Sequence, residues 1–371
     1  MEYAAHTKQE HRMNGICPYF TRFPLRFPLD RIKSARPGQW LLDPFCGGGA
    51  ALFAARLRGM GAVGIDANRA AAIVARAKLS RATPDAIISI AARILADTEP
   101  GPPPSGLFWR RAYTPETLEA LCQCRAHFAH NTHNSPEESV LHALLLGMLH
   151  GPTRPDAPRY FSNHLPADFA PQPDNALAFW TQARRQPPRR NVLDMIQMRA
   201  RYLLTKQPAA APGAVYEADS RNITRTTQHP LFDWVITSPP YYGLNSYACD
   251  QWLRNWLAGG PPFPENDARG QISQQSAESY IADLAQTWRA CAAACRPGAR
   301  FVARIGNIPN ITSPPAVELL KQSLRRAAIG WRIQTCRATR ITAPRPATCP
   351  DFQPPAPWPE NEIELYARFE P

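Results

Sequence analysis

"QWLLDPFCGGGAALFAARLRGMGAVGID", residues 39 to 66, joins two kinds of pattern around a glycine turn. QWLLDPF is a short apolar run bounded by Pro37-Gly38 before it and three glycines after it, which suits a central strand feeding a tight turn. ALFAARLRGMG then has apolar residues at helical spacing and stops at a glycine, and AVGID (62 to 66) reads as a second strand. Strand, glycine turn, helix, strand is the opening half of a doubly wound α/β sheet.

The pattern continues through an Ala-rich helix from Asn68 to about Leu79 and then breaks. Between 81 and 212 the chain offers helical pieces (115 to 130, 136 to 149, 192 to 204) separated by the proline-rich connections EPGPPPSG, GPTRPDAPRY and RRQPPRRN. The α/β alternation resumes with GAVYEADS (213 to 220), LFDWVIT (231 to 237), the amphipathic helix of AESYIADLAQTWRACAAACRPG and the strand ARFVARIGN (299 to 307). GWRIQTCRATRI and NEIELYARFE are expected to pair as a terminal antiparallel hairpin. The predicted fold is therefore α/β, a Rossmann-like sheet with helices on both faces. Residues 1–80 and 213–371 form its two halves, and 81–212 a mostly helical insertion that is a candidate recognition region.

Composition narrows the setting. The chain has 371 residues with 42 Lys plus Arg against 30 Asp plus Glu, a formal charge of +12, and a surplus of this size favours a polyanionic partner. Nine cysteines are scattered without C-x-x-C spacing, as expected of reduced thiols in an intracellular protein. MEYAAHTKQEHRMNG lacks the apolar core of a secretory leader, and the longest apolar run, VLHALLLGML (140 to 149), is too short to span a bilayer. A cytoplasmic protein with no membrane partner is expected.

The glycine turn places Gly47, Gly48 and Gly49 where backbone approaches a ligand, with a helix N-terminus behind them. Asp43 ends the first strand, Asp66 the second and Asp219 a third, and three acids on adjacent strand ends beside a glycine loop describe a nucleoside pocket. Neither G-x-G-x-x-G nor the Lys-Ser/Thr ending of a P-loop is present, and an acid ahead of the glycines suits a cationic, hydroxyl-rich ligand better than a phosphate. S-adenosylmethionine meets that description.

DWVITSPPYYGLNSY (233 to 247) sets a hydroxyl, two prolines and an aromatic ring at the carboxyl end of a strand. The prolines fix a kink and donate no hydrogen bonds, so the Ser238 hydroxyl and neighbouring carbonyls face outward as acceptors for an exocyclic –NH2 group. Tyr241 adds a face on which an extruded base can stack. Tyr242, Asn245 and Tyr247 follow as candidate lid and substrate-binding residues, whereas Trp252 and Trp256 at i, i+4 suit helix packing.

DPFCGGG together with TSPPY resembles the amino-methyltransferase group of S-adenosylmethionine-dependent DNA methyltransferases, and Ser-Pro-Pro-Tyr is similar to the N4-cytosine form. The resemblance implies cofactor contacts at Asp43, Phe45, Gly47, Gly49, Asp66 and Asp219, with Ser238, Pro239, Pro240 and Tyr241 as the catalytic tetrad. It extends more weakly to PYFTRFPLRFP (18 to 28), similar to the segment that packs over the methionine end of the cofactor. Altogether it covers roughly residues 18 to 80 and 213 to 310. It also implies double-stranded DNA as partner and a cognate restriction endonuclease. The insertion departs from the commonest arrangements and leaves the target-recognition region open. Adenine N6 is the nearest alternative, followed by an RNA or protein-amide methyltransferase and by an inactive nucleic-acid-binding module.

Three other constellations stand apart. LCQCRAHFAHNTH brings Cys122, Cys124, His127, His130 and His133 together, but the two cysteines project to different sides of a helix, and no metal site is expected. LHGPTRPDAPRYFSNHLP reads either as an ordinary surface connection or as a DNA-facing loop carrying His150, Arg154 and Asn163. Arg184, Arg185, Arg189 and Arg190 either track phosphates or form a solvated charge run.

Overall fold

Leu41, Leu42, Ala62, Val63, Val235, Ile236, Phe301 and Ala303 are fully or almost fully removed from solvent. They lie on the central strands of a seven-stranded sheet, whose apolar runs are buried on both faces as parallel strands require. The computed structural model describes residues 9–19, 23–130, 135–153, 159–223, 230–244, 249–265, 269–308, 314–340, 349–353, 359 and 361–371. The strands are β1 (Trp40–Asp43), β2 (Gly61–Asp66), β3 (Gly213–Glu217), β4 (Phe232–Thr237), β5 (Cys295–Gly306), β6 (Trp331–Arg340) and β7 (Asn361–Phe369). Their order is β3-β2-β1-β4-β5-β7-β6. β1 pairs parallel with β2 and β4, β2 with β3 and β4 with β5, while β7 runs antiparallel between β5 and β6. This is a Rossmann-like α/β sheet, and the terminal hairpin is present in the expected pairing.

The order reverses between β1 and β4, so the ends of these neighbouring strands flank the switch point at which open α/β sheets bind ligands. The glycine turn follows β1 and the Ser-Pro-Pro-Tyr stretch follows β4, which brings both motifs to that crevice.

Helices cover both faces. α1 (Arg26–Arg31) and α2 (Ala50–Leu57) lie on the side of Leu41, Trp234, Ile236 and Val302. α3 (Arg69–Leu79) starts from Asn68, whose side chain accepts the Ala71 N–H as a helix cap. The insertion supplies α4 (Pro84–Asp97), α5 (Leu107–Ala112), α6 (Pro115–His130), α7 (Pro136–Met148), α8 (Pro173–Gln182) and α9 (Val192–Leu204). Four of these begin on Pro, where its missing N–H costs nothing, and α7 adds a Ser135–Glu138 capping box. The insertion shares one apolar core with α3 and with α10 (Trp252–Leu257), through Val74, Leu144, Trp109 and Trp256. On the other face, α11 (Ala277–Ala294) and α12 (Ala316–Ala327) pack over Phe301, Ala303, Leu365 and Ala367.

Two readings of the sequence need correction. His150 and Asn163 do not face a DNA groove: both are buried, His150 Nδ1 bonding the Pro166 carbonyl at 2.7 Å and Asn163 Nδ2 donating to the Arg111 carbonyl at 3.0 Å. A polar side chain in a proline-stiffened connection here satisfies the backbone of the insertion. Arg154 lies outside the described residues. The helix expected to close at Pro297-Gly298 instead ends at Ala294, and β5 begins at Cys295.

Candidate functional site

Asp43 closes β1 with no exposed surface. Its Oδ1 accepts the Phe45 N–H at 3.2 Å, while Oδ2 and the neighbouring Thr237 Oγ1 are buried without a hydrogen-bond partner among the described residues. Burial pushes the Asp43 carboxyl up to about 7, and the nearby Thr237 hydroxyl and the Phe45 N–H pull it back only in part. A buried acceptor oxygen at a crevice is expensive unless something donates to it.

The glycine turn needs its glycines for two different reasons. Gly47 and Gly49 have φ of 47° and 71°, and a Cβ on Gly49 would sit 2.7 Å from the Ala75 Cα of α3. The turn is tied to the end of β2, since Asp66 Oδ2 accepts the Gly47 N–H at 2.8 Å and Oδ1 accepts the Asn68 N–H at 2.9 Å. Burial raises the Asp66 carboxyl to about 6 against those two hydrogen bonds. Phe45 lies edge-on to Trp288 with ring centroids 6.0 Å apart, so its ring braces the turn against α11.

Asp219 is placed just beyond β3, but its carboxylate is already engaged. Arg221 donates to both oxygens and also pairs with Asp283 at 2.8 Å, and the carboxyl is held below its usual range by the Arg221 guanidinium despite partial burial. Its backbone packs near Gly270, where an added Cβ would approach Ala67 and Asp219 at 3.4 and 3.7 Å. A cleft opens beside the end of β2, lined by Ala67, Asn68, Glu217, Gly259, Phe263 and Gln271. It begins at the residue after Asp66 and so continues outward from the strand end that Asp66 closes.

At the end of β4, Ser238 is half-buried and its hydroxyl has no hydrogen-bond partner among the described residues. Pro239 is buried, and the Pro240 carbonyl accepts the Tyr280 hydroxyl at 2.7 Å. Tyr241 is half-buried between the two main cores, and its hydroxyl donates to Glu362 on β7 at 3.3 Å. Tyr242 leans on Tyr280 with centroids 5.3 Å apart. The turn closes through the Leu244 N–H to the Tyr241 carbonyl, and the Gly243 N–H donates to Gln274. Asn245 and Tyr247 lie outside the described residues.

Three contributors were not among the expected site residues. Tyr280, fully buried, fixes the Pro240 carbonyl from α11. Glu362 holds the Tyr241 ring edge from β7. Lys78, also fully buried, donates to Asn14 at 3.0 Å and lies with the Tyr19 ring about the Gly48 position. Lys78 follows buried Val74 by one helical turn, so a cation on the apolar stripe of α3 was the available signal. Tyr280 and Glu362 had none, because both act across long sequence separations.

The other clusters resolve into structure. His127 bonds Glu138 at 3.2 Å, with Cys122 and Cys124 buried in the insertion core. Trp252 and Trp256 are core residues as expected. Burial pushes the Cys46 thiol well above its ordinary range, which suits packing and not nucleophilic attack. His164, Cys349 and Asp351 bring three ligand-type atoms together, with His164 Nε2 2.9 Å from both partners. The Thr153 N–H donates to His164 Nδ1, which puts the ring proton on Nε2, where it bonds Asp351 and ties the insertion to the β6–β7 connection.

No known family profile matches the chain, and no curated protein matches it. Among solved structures it is similar to TrmN from Thermus thermophilus, at 11% identity over 97% of this chain and 53% of that chain, with a TM-score of 0.36. It is similar to the rRNA methyltransferase aviRa from Streptomyces viridochromogenes at 13% identity, covering 99% and 96%, with a TM-score of 0.35. Geranyl diphosphate methyltransferase in complex with GPP and sinefungin matches at 10% identity over 93% and 77%, with a TM-score of 0.33. The chain thus spans about half the length of the TrmN chain. No helix among the described residues is long and apolar enough to cross a membrane.

Proposed function

We propose that this protein is an S-adenosylmethionine-dependent methyltransferase acting on the exocyclic amino group of a base in duplex DNA, cytosine N4. The observation that carries the reading is the meeting of two acceptors at one switch point: buried Asp43 Oδ2 at the end of β1 and the half-buried Ser238 hydroxyl after adjacent β4.

The residues fit the cofactor. Asp43 Oδ2 offers an acceptor to the amino group of its methionine tail, the positive-φ glycines let that tail approach the backbone, and Asp66 stands at the strand end suited to ribose hydroxyls. The cleft by Ala67 and Gly259 accommodates the adenine. Bound S-adenosylmethionine supplies an electrophilic sulfonium methyl group.

The chain's own task is to make a poor nucleophile competent. The lone pair of a base amine is delocalised into the ring. Hydrogen bonds accepted by the Ser238 hydroxyl and the Pro239 carbonyl favour a pyramidal nitrogen and localise that pair. The Pro240 carbonyl is held by Tyr280, which stiffens the loop at the next residue. Tyr241, braced by Glu362, gives the base a face for stacking. The surplus of basic residues supports a nucleic acid as the macromolecule that delivers the base.

The test is incubation with methyl-labelled S-adenosylmethionine and unmethylated genomic DNA, followed by nucleoside digestion and mass spectrometry. Label in N4-methylcytosine, lost in Ser238→Ala while cofactor binding persists, is the expected result. Label in N6-methyladenine would overturn the base assignment, and label confined to RNA or protein would overturn the substrate class.

A further inference from the structure

The sheet is covered unequally. Phe301, Ala303, Ile305, Leu365, Ala367 and Phe369 point into the core under α11 and α12. The alternate residues of the same strands point to the opposite face, where α1 reaches β5 and β7 through Phe27 and Arg31. Among the described residues, no helix packs on this face of β6.

That bare face carries an unusual register. Arg300 of β5 stands directly opposite Arg368 of β7, and Arg368 directly opposite Arg332 of β6. Directly opposed residues of antiparallel strands share a face, so three guanidinium groups form one row across three strands. All three are exposed, as is Arg337, which lies over the Tyr366 ring at 5.2 Å, further along toward the site. Arg300 bonds Ser34 Oγ and lies over Trp234, and none of the four has a carboxylate partner among the described residues. The carboxylates of this face, Glu362 and Glu364, are drawn inward to Arg304 and Arg31.

Like charges placed opposite one another weaken a sheet, so this row does not serve the folded chain by itself. A polyanion laid across it turns that repulsion into attraction. The strip also leads somewhere. It runs on one face of β7 from Arg368 to Glu362, the residue that holds Tyr241, a distance of about 20 Å at the rise of an extended strand. Among the described residues the exposed large apolar ones, Leu107, Met198, Tyr202, Leu231 and Phe263, all lie on other elements, which disfavours a lipid surface as the occupant.

We propose that this face of β5, β7 and β6 is a docking surface for the phosphate backbone of the duplex DNA whose base enters the site. It rests on the reading under Proposed function and adds to it where the flanking duplex lies.

The experiment compares the full chain with the triple variant Arg332→Gln, Arg337→Gln, Arg368→Gln, and with the matching triple Lys variant, binding a short unmethylated duplex over a range of salt. Each phosphate contact contributes about 0.9 to the slope of log affinity against log salt, so the Gln variant is expected to lose about 2 to 3 from that slope. Its affinity should fall on the order of 100-fold near 0.1 M salt. The Lys variant should keep most of the slope. S-adenosylmethionine affinity should be unchanged, and thermal stability equal or higher in the Gln variant, which shows that it folds. An unchanged slope in the Gln variant overturns the docking surface and leaves the proposed function standing. A slope lost on structured RNA but not on DNA overturns DNA as the occupant. A wild-type chain that binds S-adenosylmethionine but no duplex overturns both.

Discussion

Replacing Asp43 with Asn should stabilise the cofactor-free chain at alkaline pH while removing cofactor binding. Asp43 is fully buried, and desolvation moves its carboxyl from an ordinary 3.8 to about 7. Between those values the folded chain holds a proton that the unfolded chain has released. Stability therefore falls as pH rises through this window, and the loss is complete above about 7. At about 1.4 kcal/mol per pH unit, the gap between 3.8 and about 7 corresponds to a ceiling of about 4 kcal/mol. The substituted amide keeps the shape and an acceptor for the Phe45 N–H but carries no charge, so up to about 4 kcal/mol should return well above neutrality and less than half of that near pH 5. Urea unfolding of both proteins without cofactor, at about pH 5 and about pH 8.5, measures the difference directly. Adding S-adenosylmethionine at the higher pH should then raise the stability of the wild type and not of the variant. A variant whose stability difference is the same at both pH values, or which is less stable at high pH, would refute the reasoning.

Other perturbations separate the parts of the site. Gly49→Ala puts a Cβ 2.7 Å from the Ala75 Cα at a φ of 71°, and should cost about 1 to 3 kcal/mol in urea unfolding and abolish cofactor binding by calorimetry. Tyr280→Phe frees the Pro240 carbonyl, 40 residues away in the chain; turnover should fall about tenfold while cofactor affinity stays unchanged. Gly306→Ala would bring a methyl group to 2.6 Å from Pro359 and 3.0 Å from the Tyr241 ring, so turnover should fall through displacement of that ring, with the cofactor still bound.

The strand-turn-helix reading of residues 39 to 66 succeeded because every local rule agreed: a buried apolar run, glycines where φ turns positive, and an acid at each strand end. The terminal hairpin was legible for the same reason, since its two segments alternate in the strand period. What failed to show was anything settled by partners distant in sequence. Asp219 reads as an open strand-end acid in EADS, yet once the chain folds Arg221, itself paired with Asp283, donates to both its oxygens. His150 and Asn163 looked like surface polar residues, yet backbone carbonyls of the insertion draw them inside. The arginine row across β5, β7 and β6 is invisible along the chain, because only the register brings Arg300, Arg368 and Arg332 abreast.

The stability argument and the site argument meet at the end of β1. A folded chain can satisfy a carboxylate with an arginine, as it does for Asp219 and for Glu364. At Asp43 it does not: among the described residues no arginine or lysine pairs with Oδ2, which has only the Thr237 hydroxyl beside it in the crevice where the sheet order reverses. Desolvation without a partner is the arrangement in which a cationic ligand gains most, because binding supplies the donor that the protein withholds and draws the carboxyl back to its charged form. Ser238, one strand away, is half-buried, and its hydroxyl has no hydrogen-bond partner among the described residues, so it faces the crevice as a second acceptor. Under the proposed function an ammonium group donates to the first and a base amine to the second, so the same switch point that costs the empty fold stability at high pH is what brings methyl donor and methyl acceptor together.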